Sequence, residues 1–175
     1  MNHASLANTS STSSRSTARP PLQIELRFHL ALPTDTVFEL VTTRLPEWFA
    51  MIHEVTWDHA RSTRGPSKLG ACSERVCDFG GKKLLEEIVE VDFGRSYTYR
   101  ADLERSTMKM PLAEHLGSFE LSASDGGTDV TWRQYFRAKW FVPAAMLRWQ
   151  MRDKMMRPAV DALIAKHGGR WLPVA

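Results

Sequence analysis

The order of its patterns constrains this chain more than any single motif. A strand and a helix open it, a train of hairpins follows, and one long helix closes it. The closing stretch, from Pro143 to about Lys166, is the only helical one long enough to cover a whole sheet. Before it, alternating segments are punctuated by turn signals at Gly80-Gly81, Asp92-Phe93-Gly94 and Asp125-Gly126-Gly127. This order predicts an α+β fold in which an antiparallel sheet curls around a single helix. Curled sheets leave room beneath the helix, and a ligand commonly fills it.

Leu22, Ile24, Leu26, Phe28 and Leu30 alternate with Gln23, Glu25, Arg27 and His29, which predicts a half-buried strand. Pro33-Thr34-Asp35 breaks the pattern: Pro33 starts a helix, Thr34 or Asp35 caps it, and Val37, Phe38, Leu40 and Val41 form its buried side. A second short helix begins at Leu45-Pro46-Glu47-Trp48-Phe49, with Pro46 suited to its first turn. Further strands are expected over Val55 to His59, Leu69 to Phe79, Lys82 to Val91, Ser96 to Leu103, Glu114 to Ala123 and Thr128 to Ala138. The last helix carries Leu147, Met151, Met155, Ala159 and Ala162 on one face, with Trp149, Met156, Val160 and Leu163 as a second stripe. Pro158 falls within it and should bend the helix or loosen one turn.

At 175 residues, with 43% hydrophobic and 25% charged residues, the chain reads as one soluble domain with a real core. Residues 1–20 form a Ser/Thr-rich segment with almost nothing to bury, expected to be a disordered tail, and deletion of Met1 to Ala18 is expected to leave stability unchanged. Residues 21–168 are expected to make a single ligand-binding domain, and residues 169–175 a C-terminal tail. The opening segment lacks the continuous apolar stretch of a secretory signal, and no run is long enough to span a membrane. A cytoplasmic location is expected. The pI is near 9.0, but the net charge is only +3 and no polybasic run or aromatic RNA-binding motif occurs, which argues against nucleic acid as a partner. Cys72 and Cys77 read as two residues of one strand, about 16 Å apart and on opposite faces, hence reduced.

The chemical motifs fall away on inspection. Gly80-Gly81-Lys82-Lys83 lacks the frame of a phosphate loop and sits in a hairpin, and Gly65-Pro66-Ser67-Lys68-Leu69-Gly70 is not a nucleophile elbow. The Cys and His spacings match no zinc site, and there is no dinucleotide fingerprint; neither metal nor cofactor is expected. Glu86 and Glu87 are adjacent on one strand, so their side chains diverge and they make no catalytic pair. What remains is a set of polar and aromatic residues in phase with the buried face: Trp57, Tyr97, Tyr99, His115, Phe119, Trp132, Gln134 and Phe136. Met151 and Met155 complete the expected cavity wall from the helix side, where methionine adapts to varied ligands. A buried His or Gln needs a hydrogen-bond partner, which a ligand's polar atoms could supply. His115 is the candidate general acid or base. Each of these residues could equally be ordinary core.

Leu32-Pro33-Thr34-Asp35-Thr36-Val37-Phe38-Glu39-Leu40, followed by Leu45-Pro46-Glu47-Trp48-Phe49, resembles the opening of the START/SRPBCC superfamily. These are helix-grip proteins that include polyketide cyclases, lipid-transfer proteins and plant pathogenesis-related ligand carriers. Leu69-Gly70, the paired acids Glu86-Glu87 and the Asp-Gly-Gly turn before Thr131-Trp132 are similar to the same pattern, and the match in element order runs from Leu22 to about His167. The resemblance implies a seven-stranded antiparallel sheet wrapped around the last helix, with two short helices after the first strand and a cavity between sheet and helix. It transfers no catalytic residue, because this fold hosts carriers, cyclases, hydrolases and regulators alike.

Three functions are consistent with the sequence. The first is a carrier or sensor for a hydrophobic or aromatic small molecule such as a lipid, quinone or polyketide-like compound. The second is a polyketide cyclase/dehydratase-like enzyme using the same cavity, where holding a flexible chain supplies much of the rate. The third is a protein- or membrane-interaction module without a ligand, using the basic face of the last helix or the loop from Arg61 to Lys68.

Overall fold

The computed structural model describes residues 19–174. Its opening strand, β1 (Leu22–Leu30), has the span that its alternation predicts. Helix α1 (Thr34–Thr42) follows, burying Val37, Phe38, Leu40 and Val41; Pro33 occupies its N-cap and no side chain caps it, so neither Thr34 nor Asp35 does. A single 3₁₀ turn, Leu45–Glu47, takes the place of the second short helix. Its next residue, Trp48, donates its indole N–H to the Leu40 carbonyl at 2.9 Å, fastening the turn to α1.

Six strands then run up and down: β2 (Glu54–Asp58), β3 (Glu74–Asp78), β4 (Lys83–Asp92), β5 (Ser96–Asp102), β6 (Leu112–Ser124) and β7 (Gly127–Ala138). The three turn signals are the β3–β4, β4–β5 and β6–β7 loops, where Gly80, Gly81, Gly94 and Gly126 have positive φ. The register shifts between Ile88 and Glu90 and between Leu112 and Glu114. Such bulges bend the strands that carry them and help the sheet to curl.

Two expectations need correction. The sheet has eight strands, in the order β2-β3-β4-β5-β6-β7-β1-β8, rather than seven. The additional strand, β8 (Gly169–Trp171), lies in the segment read as a tail, and pairs with Phe28–Leu30 of β1. Gly168 and Gly169, both at positive φ, turn the chain back for this pairing. Trp171 meets Phe28 edge-on at 6.2 Å and donates its indole N–H to Asp161 at 2.8 Å. Cys72 is also not on a strand with Cys77: it sits in the turn before β3 at φ 65, and both thiols are free. The expected N-terminal tail lies outside the described residues except for its end. There Pro20 is buried, and the Arg19 guanidinium lies 4.7 Å over the Tyr135 ring.

The closing helix is continuous but not uniform. Helix α2 (Ala144–Trp149) runs into a π-helical segment, Gln150–Met156, and then into α3 (Arg157–His167). Pro158 falls in the first turn of α3, where its missing N–H is tolerated, and the wider π turns absorb the mismatch just before it. Those turns shift the phase of the apolar face. Leu147, Met156, Ala159, Val160 and Leu163 are buried, whereas Ala162 and Trp149 are exposed. None of the helices among the described residues is long and apolar enough to cross a membrane.

Candidate functional site

The register of the central strands sets residues out in rungs across the concave face. Tyr97, Phe119 and Trp132 are cross-strand partners on β5, β6 and β7. Their rings stack: Tyr97 on Phe119 at 5.3 Å and Phe119 on Trp132 at 4.8 Å between centroids. The next rung is polar. Tyr99, Gly117 and Gln134 are register partners, and His115 lies two residues further along β6. An aromatic floor and a polar strip therefore lie side by side under the helix.

A hydrogen-bonded chain links the strip. Gln134 Nε2 donates to the Tyr99 hydroxyl at 2.9 Å, and Trp132 Nε1 approaches the same oxygen at 3.4 Å. Gln134 Oε1 then faces His115 Nε2 at 2.6 Å, so that nitrogen carries the imidazole proton. His115 Nδ1 is left as a buried acceptor with no partner among the described residues. Burial lowers the His115 pKa, against the opposing pull of Glu86 and Gln134, and keeps the ring neutral. Burial first, and then nearby Glu86, push the Tyr99 phenol up to about 12, so it stays protonated.

On the other side of Tyr99 lies an ion pair that sequence reasoning missed. Arg75 and Glu86 are register partners on β3 and β4, and Arg75 is 2% exposed and Glu86 4%. Arg75 Nε and Nη2 reach Glu86 Oε2 at 2.8 and 2.7 Å, and Nη1 donates to the Thr42 carbonyl at 3.0 Å. Burial pulls the guanidinium pKa down, but the Glu86 carboxylate outweighs it and holds the charge firmly in place. The guanidinium lies 5.0 Å over the Tyr99 ring. Cys77, the next inward residue on β3, has its thiol pKa raised, by burial first and then by Glu86, and is not poised as a nucleophile. The signal was available in the parity of Arg75 with Cys77 and of Glu86 with Leu84 and Ile88. Two opposite charges on facing inward positions identify such a pair only once the register is known.

Between this surface and the helix is a cavity of about 70 Å³, with about 620 Å³ of atom-free space when its open mouth is included. Of the expected residues, Tyr97, Tyr99, His115, Phe119, Trp132, Gln134, Met151 and Met155 line it. Trp57 and Phe136 do not. Trp57 sits on β2 opposite Arg75, stacked on His59 at 5.4 Å, so Arg75 stands between it and the cavity. Phe136 is wholly buried in the packed core beside its register partner His115. Sequence reading also left out part of the lining: Met108 and Met110 from the β5–β6 loop, Phe79 from the β3–β4 hairpin, and Leu45, Phe49 and Ile52. Among the described residues no group of His, Cys, Asp or Glu could hold a metal ion.

Comparison with known proteins follows the same outline. The family model described as "Polyketide cyclase / dehydrase and lipid transport" matches residues 21–168. No curated protein matches the chain significantly. Among solved structures, a Thermobifida fusca protein is similar at 22% identity and a TM-score of 0.64, over 83% of this chain and 92% of its own. A START superfamily protein from Mycobacterium smegmatis is similar at 13% identity and a TM-score of 0.64, over 83% of this chain and 97% of that one. The di-domain ARO/CYC StfQ from the steffimycin biosynthetic pathway is similar at 12% identity and a TM-score of 0.58, over 81% of this chain and 49% of that one. At these identities the likeness shows the fold alone.

Proposed function

The chain belongs to the polyketide cyclase / dehydrase and lipid transport family, and from that premise we propose that it binds a hydrophobic or aromatic small molecule, lipid, quinone or polyketide-like, in the cavity between sheet and helix. The observation that carries this reading is the cavity floor, where stacked rings lie beside His115 Nδ1, an acceptor with no partner among the described residues. Leaving a buried polar atom unpaired costs about 1–3 kcal/mol, which a ligand's hydroxyl would recover. A planar ring would lie on the Tyr97–Phe119–Trp132 floor, with its hydroxyl donating to Nδ1. The space of about 70 Å³ takes part of such a molecule. The remainder would occupy the mouth or displace Met151, Met155 and Met156, which are flexible enough to give way.

Native mass spectrometry of the purified protein and titration with a polarity-sensitive naphthalene dye test this. Saturable dye binding is expected, and the cavity-filling substitution Met155→Trp should abolish it while the far-UV circular dichroism stays unchanged. Equal binding by the filled variant would overturn the proposal.

A second reading, a cyclase/dehydratase-like enzyme, is supported by the same nitrogen. Neutral His115 offers a general base at Nδ1 to an enolisable carbon held over the aromatic floor, and the protonated Tyr99 phenol stands nearby as an acid. Turnover of a polyketide-like substrate that survives both His115→Ala and Tyr99→Phe would sink this reading and leave binding as the function.

A further inference from the structure

The segment joining β7 to the closing helix, and the first turns of that helix, present large apolar side chains to solvent. Trp140 is 95% exposed, Phe141 60%, Met146 50% and Trp149 52%. Trp140 and Phe141 pack on each other edge-to-face at 5.7 Å, forming a protruding aromatic tip. Isolated exposed apolar residues are ordinary, but four within ten residues form a patch that is expensive to leave in water.

The charge around this patch is one-sided. Between Arg137 and Arg157 there are six basic residues and one acid, Asp153. Asp153 is bound by its neighbour Arg152, and Arg137 pairs with Glu114. Lys139, Arg148, Lys154 and Arg157 are exposed and make no ion pair with an acid among the described residues. Lys154 lies 5.0 Å over the Trp149 ring, so charge and aromatic surface are interleaved.

We infer that Trp140, Phe141, Met146 and Trp149 insert into the interface of an anionic lipid bilayer, with Lys139, Arg148 and Lys154 against its headgroups. Amphipathic aromatic rings favour the headgroup level, and each basic residue near an anionic surface adds to the attraction. A protein interface would also use the aromatic residues, methionine and arginine, but lysine, which supplies two of these three cations, is depleted there. The tip is also tied to the cavity wall: the Lys139 amide donates to the Pro111 carbonyl at 3.0 Å, at the end of the loop whose Met108 and Met110 line the cavity. Docking would thus set this wall of the cavity close to the membrane, giving an apolar cargo a short path from bilayer to cavity. The docking itself does not depend on what the cavity holds.

The test is sedimentation of the full chain with vesicles of phosphatidylcholine alone and with added phosphatidylserine, at low and high salt. Binding is expected to the anionic vesicles, weakening as salt rises. Trp140→Ser combined with Phe141→Ser should weaken it by about tenfold or more, since the pair's apolar burial is lost. The combination Lys139→Gln, Arg148→Gln and Lys154→Gln should remove the preference for anionic lipid. All these side chains are exposed, so circular dichroism and the dye titration should be unchanged. No vesicle binding, binding equal on neutral vesicles, or binding undiminished in the Trp140/Phe141 variant would each overturn the inference. So would concentration-dependent association of the chain with itself that the same variant abolishes without any lipid attachment.

Discussion

Gly117 faces Tyr99 across the β5–β6 ladder, and the Tyr99 ring lies directly over it, where a Cβ on residue 117 would overlap the ring carbons and the hydroxyl. The contact accounts for a glycine in the middle of a thirteen-residue strand, where glycine is otherwise unfavourable. It also lets the Tyr99 hydroxyl lie within reach of Gln134 and Trp132. Gly117→Ala should therefore displace Tyr99 and destabilise the fold by about 1–3 kcal/mol, the usual cost of overpacking. In a Tyr99→Leu background the same substitution should cost much less, because the overlapping atoms are gone. Urea denaturation of wild type and the three variants measures the difference; equal costs in both backgrounds would mean the ring contact is not the cause.

The Arg75–Glu86 pair leads to an asymmetric expectation. Glu86→Gln leaves a guanidinium buried without its counter-charge and should cost about 3–5 kcal/mol. Replacing both, as Arg75→Met with Glu86→Leu, should cost far less than the sum of the single changes. A double-mutant cycle in urea reads the coupling directly. Additive losses would show that the two charges are satisfied independently, Arg75 by the Thr42 carbonyl alone.

These two pairs mark the boundary of what the sequence made legible. The strand β1, the three hairpin turns and the apolar floor follow from period-two alternation and glycine punctuation, which are local signals. The Gly117–Tyr99 contact and the Arg75–Glu86 pair depend on register, which no local signal supplies for a meander with bulges in β4 and β6. Trp149 misled for a related reason. Its place in an apolar stripe assumed a uniform helical period, and the π turns at Gln150–Met156 change the phase. The strand β8 was missed because three residues following two glycines carry no periodicity to read.

His115 should make stability depend on pH in the near-neutral range. Burial lowers its pKa in the folded chain, so below about 6.5 the unfolded chain takes up a proton that folded His115 refuses. Stability should then fall with falling pH, by up to about 1.4 kcal/mol per pH unit, until the lowered folded pKa is reached. Asp129 acts in a different window. The hydrogen bonds from His29 and Ser124 depress its pKa against the opposing cost of burial, so its contribution is lost only as the pH falls below the ordinary value of 3.8. Urea denaturation at pH 7.5 and 5.5 therefore separates the two, and His115→Gln should be less sensitive than wild type over that interval. An identical pH dependence in both proteins would show that His115 titrates normally.

The closing helix offers a test of how cargo enters. Met151 and Met155 line the cavity from the π-helical segment, whose last turn is closed by the Arg157 amide donating to the Arg152 carbonyl. Pro158 follows immediately and cannot supply the backbone bond that an α-helix would make to Lys154. A segment with wide turns and a missing bond is the part of the helix most easily displaced, and it is the part that holds the flexible side chains over the cavity. Pro158→Ala restores the donor and should let α-helical turns spread back towards Met151; because Pro158 stands in the first turn of α3, the gain in stability should stay within about 1 kcal/mol. If the helix moves to admit ligand, the dye should enter the variant more slowly in stopped-flow mixing, with its equilibrium affinity little changed. If Pro158 only fits the helix to a twisted sheet, the variant should be more stable and the entry rate should stay the same. Hydrogen exchange at the amides of residues 152–157 distinguishes the cases independently, because a gate requires these amides to exchange faster than those of α3 in wild type and to become protected in the variant.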